Sequence, residues 1–104
     1  MAVQHLFSYA CEWIGFRVDR YVFAVETLNW VGWFPWGDDV IWSQDGHYLA
    51  TVIDGKWLCR DPLTPIRVPP IPPIPPIPPI PPLPPLPGIP PIMRVGTEPI
   101  YRLE

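Results

Sequence analysis

Basic residues are few and scattered in this chain: seven Lys and Arg stand against ten Asp and Glu, for a net charge of −3. Nucleic-acid binding needs a clustered cationic footprint, so no nucleic-acid partner is expected. Cysteine is nearly missing as well. Cys11 and Cys59 stand alone without a CxxC or Cys-His cluster, and they read as free, packed thiols rather than as a disulfide or a metal site. No run of about 18 apolar residues is free of proline and charge, and residues 1–10 have neither the basic start nor the apolar core of a secretion signal. The expectation is a soluble cytoplasmic protein that does not engage a membrane. Also lacking is a sustained 3.6-residue apolar period, because Gly or Pro interrupts most windows of helical length. The globular part is therefore expected to be all-β.

An enzyme is hard to assemble from the side chains present. Asp38, Asp39, Asp45, Asp54 and Asp61 fall mainly at turns, where aspartate bonds its own backbone. His5 is isolated and His47 follows a turn, so no nucleophile, base and orienting group come together. There is no phosphate-cradling glycine loop and no metal-ligand spacing. We expect no enzymatic activity, no catalytic residues, no metal and no cofactor.

Proline, by contrast, occurs 19 times. Most of it lies in residues 68–92, VPPIPPIPPIPPIPPLPPLPGIPPI, where an aliphatic residue returns at every third position: Val68, Ile71, Ile74, Ile77, Ile80, Leu83, Leu86, Ile89 and Ile92. Proline fixes φ near the polyproline II value and biases the residue before it to the same region. That helix has three residues per turn, so the run predicts a straight polyproline II rod about 75 Å long with one aliphatic edge and two proline edges. The other residues would make a unit only about 25–30 Å across, and the rod is expected to project from it rather than lie on it. Nine aliphatic side chains in one exposed row exceed the apolar patch a soluble monomer usually shows. The stripe, with Ile71, Ile74, Ile77, Ile80, Leu83, Leu86 and Ile89 as its core positions, is thus the expected interface of a homo-oligomer. Collagen is excluded, because it needs glycine at every third place and Gly88 is the single glycine of the run. Arg67, Pro70 and Pro73 fit an RxxPxxP ligand of proline-reading domains. That keeps open an adaptor that displays its rod.

Thirteen of the fourteen aromatic residues precede residue 58, among them Trp13, Trp30, Trp33, Trp36, Trp42 and Trp57. Each large ring has about 150–250 Å² to bury, and a domain of about 60 residues buries only about 60% of its unfolded surface. Rings are expected to meet other copies, a ligand, or both. Trp30, Trp33, Trp42 and Trp57 lie on repeated segments and are the candidates for an aromatic cavity that binds a hydrophobic small molecule. Trp36 sits in a turn and reads as a surface or subunit contact.

Three segments share the order aromatic, aliphatic, tiny, bulky: Trp13-Ile14-Gly15-Phe16, Trp30-Val31-Gly32-Trp33 and Tyr48-Leu49-Ala50-Thr51, with starts 17 and 18 residues apart. Each is followed by a polar turn and a second β-rich segment, at 21–25, 40–42 and 57–59. Aromatic and β-branched strands separated by turns such as Asp45-Gly46 and Asp54-Gly55 predict a small antiparallel meander of repeated hairpins. The chain then divides into an aromatic β-meander over 1–67, a rod over 68–92 and a short tail or cap strand over 93–104. Strict alternation puts Trp30, Gly32 and Phe34 on one face and Val31 and Trp33 on the other. The tiny residues leave room for a facing ring, another strand or a ligand.

Val40-Ile41-Trp42, Asp45-Gly46, His47-Tyr48-Leu49-Ala50 and Asp54-Gly55-Lys56-Trp57, with NWVGWF before them, resemble the bacterial four-fold β-flower family. Its members run a VIYGF-type strand into a DG or NG turn, then an HLGW-type strand and a second DG turn. The resemblance covers residues 12–61, with Ala50 in place of the family's glycine and the rod outside the pattern. It implies a homotetramer with strands radiating about a four-fold axis and a hydrophobic-ligand role, and it carries over no catalytic residues.

Overall fold

The computed structural model describes residues 3–65, 67–75, 77, 78, 80–92, 96–101 and 103, and all regular structure among them is β. Eight strands follow the chain: β1 (Val3–Phe7), β2 (Trp13–Val18), β3 (Tyr21–Ala24), β4 (Trp30–Trp33), β5 (Val40–Trp42), β6 (Tyr48–Ile53), β7 (Trp57–Arg60) and β8 (Glu98–Pro99). Each pairs with the next, and a parallel bridge between Phe7 and Trp57 joins β1 to β7. The meander read from the repeated segments is therefore closed into a seven-stranded barrel, with β8 lying antiparallel against the end of β7. Closure removes the exposed edges that an open meander of this size would leave.

Three hairpins, β1–β2, β3–β4 and β5–β6, carry five-residue tips at one end of the barrel: 8–12, 25–29 and 43–47. The tips share a backbone conformation, with positive φ at the fourth residue of each: 63° at Cys11, 60° at Leu28 and 89° at Gly46. Only the third has the glycine that this conformation favours. β7 and β8 form a fourth hairpin at the same end, whose tip is the 37 residues 61–97 and includes the whole proline-rich run.

The sequence repeat is a repeated β-bulge. Leu6 faces Gly15 while Phe7 faces Trp13, so Ile14 is an extra residue on β2. Val22 faces Gly32 while Phe23 faces Trp30, leaving Val31 extra. Ile41 faces Ala50 while Trp42 faces Tyr48, leaving Leu49 extra. In each unit the aromatic residue stays with the outer row, and the aliphatic and tiny residues both turn towards the barrel interior opposite one partner. The alternation expected at β4 is broken for this reason: Trp30 shares a face with Phe23, and Trp33 shares that outer face with Tyr21. Bulges also increase local twist, which a barrel this narrow requires.

Residues from non-adjacent strands can meet only inside the barrel, and there Leu6, Val22, Phe34, Ile41, Ala50, Val52 and Leu58 form one buried cluster. Ile14, Val31, Leu49, Ile100 and Leu103 pack against it. The space beside the tiny residues is filled by this core. A Cβ on Gly32 would stand 2.8 Å from the Trp42 carbonyl and 2.9 Å from Ile41, and one on Gly15 would collide with Leu103. The tail is accordingly part of the barrel: Cys59 pairs with Pro99, and the Ile100 N–H lies 3.5 Å from the Leu58 carbonyl.

The proline-rich run does not project as a straight rod. The molecule measures 35 × 34 × 20 Å, whereas the run fully extended would span about 75 Å. It lies on its own barrel, passing Pro69 beside Gly46 in the third tip and Gly88 beside Cys11 in the first. Its ends are tied because β7 and β8 pair, so the chain must travel out and return to one place. Along it Pro69, Pro72, Pro75, Pro78, Pro81, Pro84, Pro87 and Pro90 are half-buried, while the aliphatic residues between them face solvent.

Candidate functional site

Outside the barrel the large rings form rows along the strand ladders. Phe16 stacks on Phe23 at 5.5 Å, Tyr21 meets Trp30 edge-on at 6.1 Å, and Phe7 and Tyr9 flank Trp57 at 6.1 and 6.0 Å. The first two repeats also share a side-chain bond. Trp13 and Trp30 each donate the indole N–H to the carbonyl of the glycine two residues on, at 2.9 and 2.8 Å. In the third, Tyr48 takes the aromatic place and its hydroxyl bonds Thr51 Oγ1 at 2.7 Å.

The four tryptophans named as ligand candidates are not gathered around one cavity. Trp33, Trp42 and Trp57 are 2%, 4% and 1% exposed, and Trp30 is half-buried. Trp33 and Trp42 are cross-strand partners, Trp30 lies with Tyr21, and Trp57 lies with Phe7. Of the four, Trp42 alone lines the principal cavity. Trp36 is half-exposed in its turn, edge-on to Trp42 at 5.6 Å, with the Arg67 guanidinium 4.7 Å above its ring.

That cavity, about 420 Å³, opens where the fourth hairpin tip leaves and rejoins the barrel. Its walls include the rings of Trp42, Tyr48, Pro62 and Pro65. Tyr48 is held rigidly, because its hydroxyl accepts the Asp61 N–H at 2.8 Å as well as bonding Thr51. Trp42 and Tyr48 meet edge-on at 6.1 Å. Arg60, Asp61, Arg67 and Glu98 bring charge to the mouth. Asp61 Oδ1 accepts the Leu63 N–H at 2.9 Å and Asp38 Oδ1 accepts the Val40 N–H at 3.1 Å, so both carboxylates serve turns. Sequence reading missed this site because its walls come from three separate segments, 42–48, 60–67 and 96–98. Its one local signal was the aromatic pair flanking the third tip.

The second feature is the stripe. Val68, Ile71, Ile74, Ile77, Ile80, Leu83, Leu86, Ile89 and Ile92 are 88–99% exposed. No other part of the described surface carries a comparable row of large aliphatic side chains; away from it the exposed large apolar residues are Trp36, Leu63 and Tyr101. Among the described residues no group of three His, Cys, Asp or Glu side chains could hold a metal ion.

Four hairpins on one closed barrel, with rings outside and small and aliphatic side chains within, define a small all-β barrel of flower type. The chain matches the family described as 4-fold beta flower protein over residues 2–98, and it belongs to that family. The match runs past residue 61, where the sequence resemblance ended, and takes in the proline-rich run. No curated protein and no solved structure matches the chain.

Proposed function

We propose that the protein is a non-enzymatic, self-associating β-barrel whose aliphatic stripe is the contact between copies and whose rim cavity holds a hydrophobic small molecule. The observation that carries the reading is the exposure of all nine stripe residues at 88% or more. Burying them against another copy would contribute roughly 10–25 kcal/mol per chain as an upper bound, and the proline backbone has little entropy left to lose. The three-residue period of burial along the run supports a polyproline II conformation, bent around the barrel, with one proline edge inward and the aliphatic edge outward.

The homotetramer implied by the sequence resemblance is the copy number to be tested. The four hairpins of a single chain already meet a four-fold description, so the stripe is the independent support for association. An adaptor role is less well supported. Arg67, the cation of the RxxPxxP pattern, is held at 3.9 Å from Asp38 and over the ring of Trp36.

Light scattering and native mass spectrometry test the proposal. The wild type should run as an oligomer, a tetramer on this reading, and replacing Ile74, Ile77 and Ile80 together by Ser should lower its mass. A sharp 12 kDa monomer at micromolar concentration, or a triple variant of unchanged mass, removes the stripe as an interface.

A further inference from the structure

We infer that the rim cavity selects a flat aromatic carboxylate, with its ring between Trp42, Tyr48 and the two prolines and its charge on Arg60. The inference rests on the proposal that the cavity holds a small molecule.

About 420 Å³ lies within the usual range of small-molecule sites, and it suits a fused bicyclic ring. Tyr48 is fixed by two hydrogen bonds through its hydroxyl, so its ring offers a face and no free polar handle. Pro62 and Pro65 add two more ring surfaces to the lining. A lining rich in ring surfaces suits a planar apolar guest that can stack on them.

Charge at the mouth sets the second requirement. Arg67 already lies over Trp36 and within 3.9 Å of Asp38, and Asp61 caps its own turn. Arg60 ends β7 facing Glu98 across the ladder, but among the described residues no carboxylate lies within 4.0 Å of its guanidinium. Among the described residues it is the cavity's fork of donors with no carboxylate partner, and a planar carboxylate is the group that such a fork pairs with. Glu98 stands exposed on the same rim and opposes an anion there. This gives the inference a signature of two signs. Removing the Arg60 charge should weaken binding of an acid, and removing the Glu98 charge should strengthen it.

The experiment uses 2-naphthoate, its neutral isostere 2-naphthamide and the cation 2-naphthylmethylamine. Each is titrated by ligand-observed NMR into the full chain at pH 7 and low salt, where charge effects are least screened. Naphthoate should bind at least about fivefold tighter than the amide, a difference of about 1 kcal/mol. Arg60→Gln should erase that preference while leaving amide binding in place, and Glu98→Gln should widen it. Equal binding of acid and amide, or a preference for the amine, overturns the carboxylate inference and leaves the hydrophobic site standing. If none of the three binds, with the fold verified by circular dichroism, the hydrophobic-site proposal falls with it.

Discussion

The Leu103 side chain occupies the place where a Cβ on Gly15 would stand. This contact joins the C-terminal tail to the first bulge across the barrel interior, and it predicts a coupled pair. Gly15→Ala should destabilise by about 1–3 kcal/mol through overpacking. Combined with Leu103→Ala, the same change should cost less than the sum of the two single changes, with a coupling above about 0.5 kcal/mol. Strict additivity in chemical denaturation would show that Leu103 does not fill this space.

At Gly32 the neighbours are less forgiving. The Trp42 carbonyl and Ile41 would both meet an added Cβ, at 2.8 and 2.9 Å, and a carbonyl cannot swing aside as a leucine tip can. Gly32→Ala should therefore lower the thermal midpoint more than Gly15→Ala, with no rescue by trimming Leu49 alone. A midpoint equal to wild type would mean that the bulge relaxes without cost.

Cys11 holds a left-handed conformation, φ 63°, at the tip position that Gly46 fills in the third hairpin. A side chain there costs about 1–2 kcal/mol, and Cys11 is exposed, with a long 3.7 Å contact from its sulfur to the Gly88 carbonyl. Cys11→Gly is expected to raise stability by about 1 kcal/mol, measured by urea unfolding. Unchanged or lower stability would mean that the sulfur contact, or the greater freedom of glycine in the unfolded chain, outweighs the relief.

The tryptophans should divide by their N–H groups rather than by burial. The indole N–H of Trp30 has an acceptor in Gly32, but those of Trp33 and Trp42 are buried with no partner among the described residues. Trp30→Phe loses a hydrogen bond worth about 1 kcal/mol, whereas Trp33→Phe removes a buried unsatisfied donor that costs about 1–3 kcal/mol. The half-buried Trp30 is accordingly expected to be the more sensitive position, and the reverse order in denaturant midpoints would contradict this.

Burial holds the His5 imidazole below its ordinary value near 6.5, and its Nδ1 is buried without a partner among the described residues. The unfolded chain therefore binds a proton that the folded chain resists. This contribution to stability is fully present above pH 6.5 and declines as the pH falls from there through the depressed folded-state value. His5→Gln should flatten the stability profile in that interval, which thermal melts from pH 7.5 to 5 would read.

Strand positions were legible in the sequence because aromatic and β-branched runs stop at polar turns, and every segment read as β from residue 13 to 59 matches a strand to within a residue or two at its ends. The repeat was visible too, but its meaning was not. Period-two alternation assumes an unbulged ladder, and the extra residues Ile14, Val31 and Leu49 become apparent only once register is known. The first two tips were hidden because Cys11 and Leu28 hold a conformation that glycine usually signals. The path of the proline run was misjudged because composition reports local stiffness, whereas the pairing of β7 with β8 fixes where both ends must be. The cavity followed from that pairing and was out of reach for the same reason.

The proline run is a tip loop between two strands that are paired without it, Arg60 opposite Glu98 and Cys59 opposite Pro99. Its unit is three residues, and in the proposed polyproline II conformation so is the turn, so gain or loss of whole Ile-Pro-Pro units would leave every later aliphatic side chain pointing as before. A change of one or two residues would instead rotate the downstream edge by about a third of a turn or more. In coding terms the neutral step is three codons. In that conformation the run is a part whose length can change in whole units while its outward face is kept.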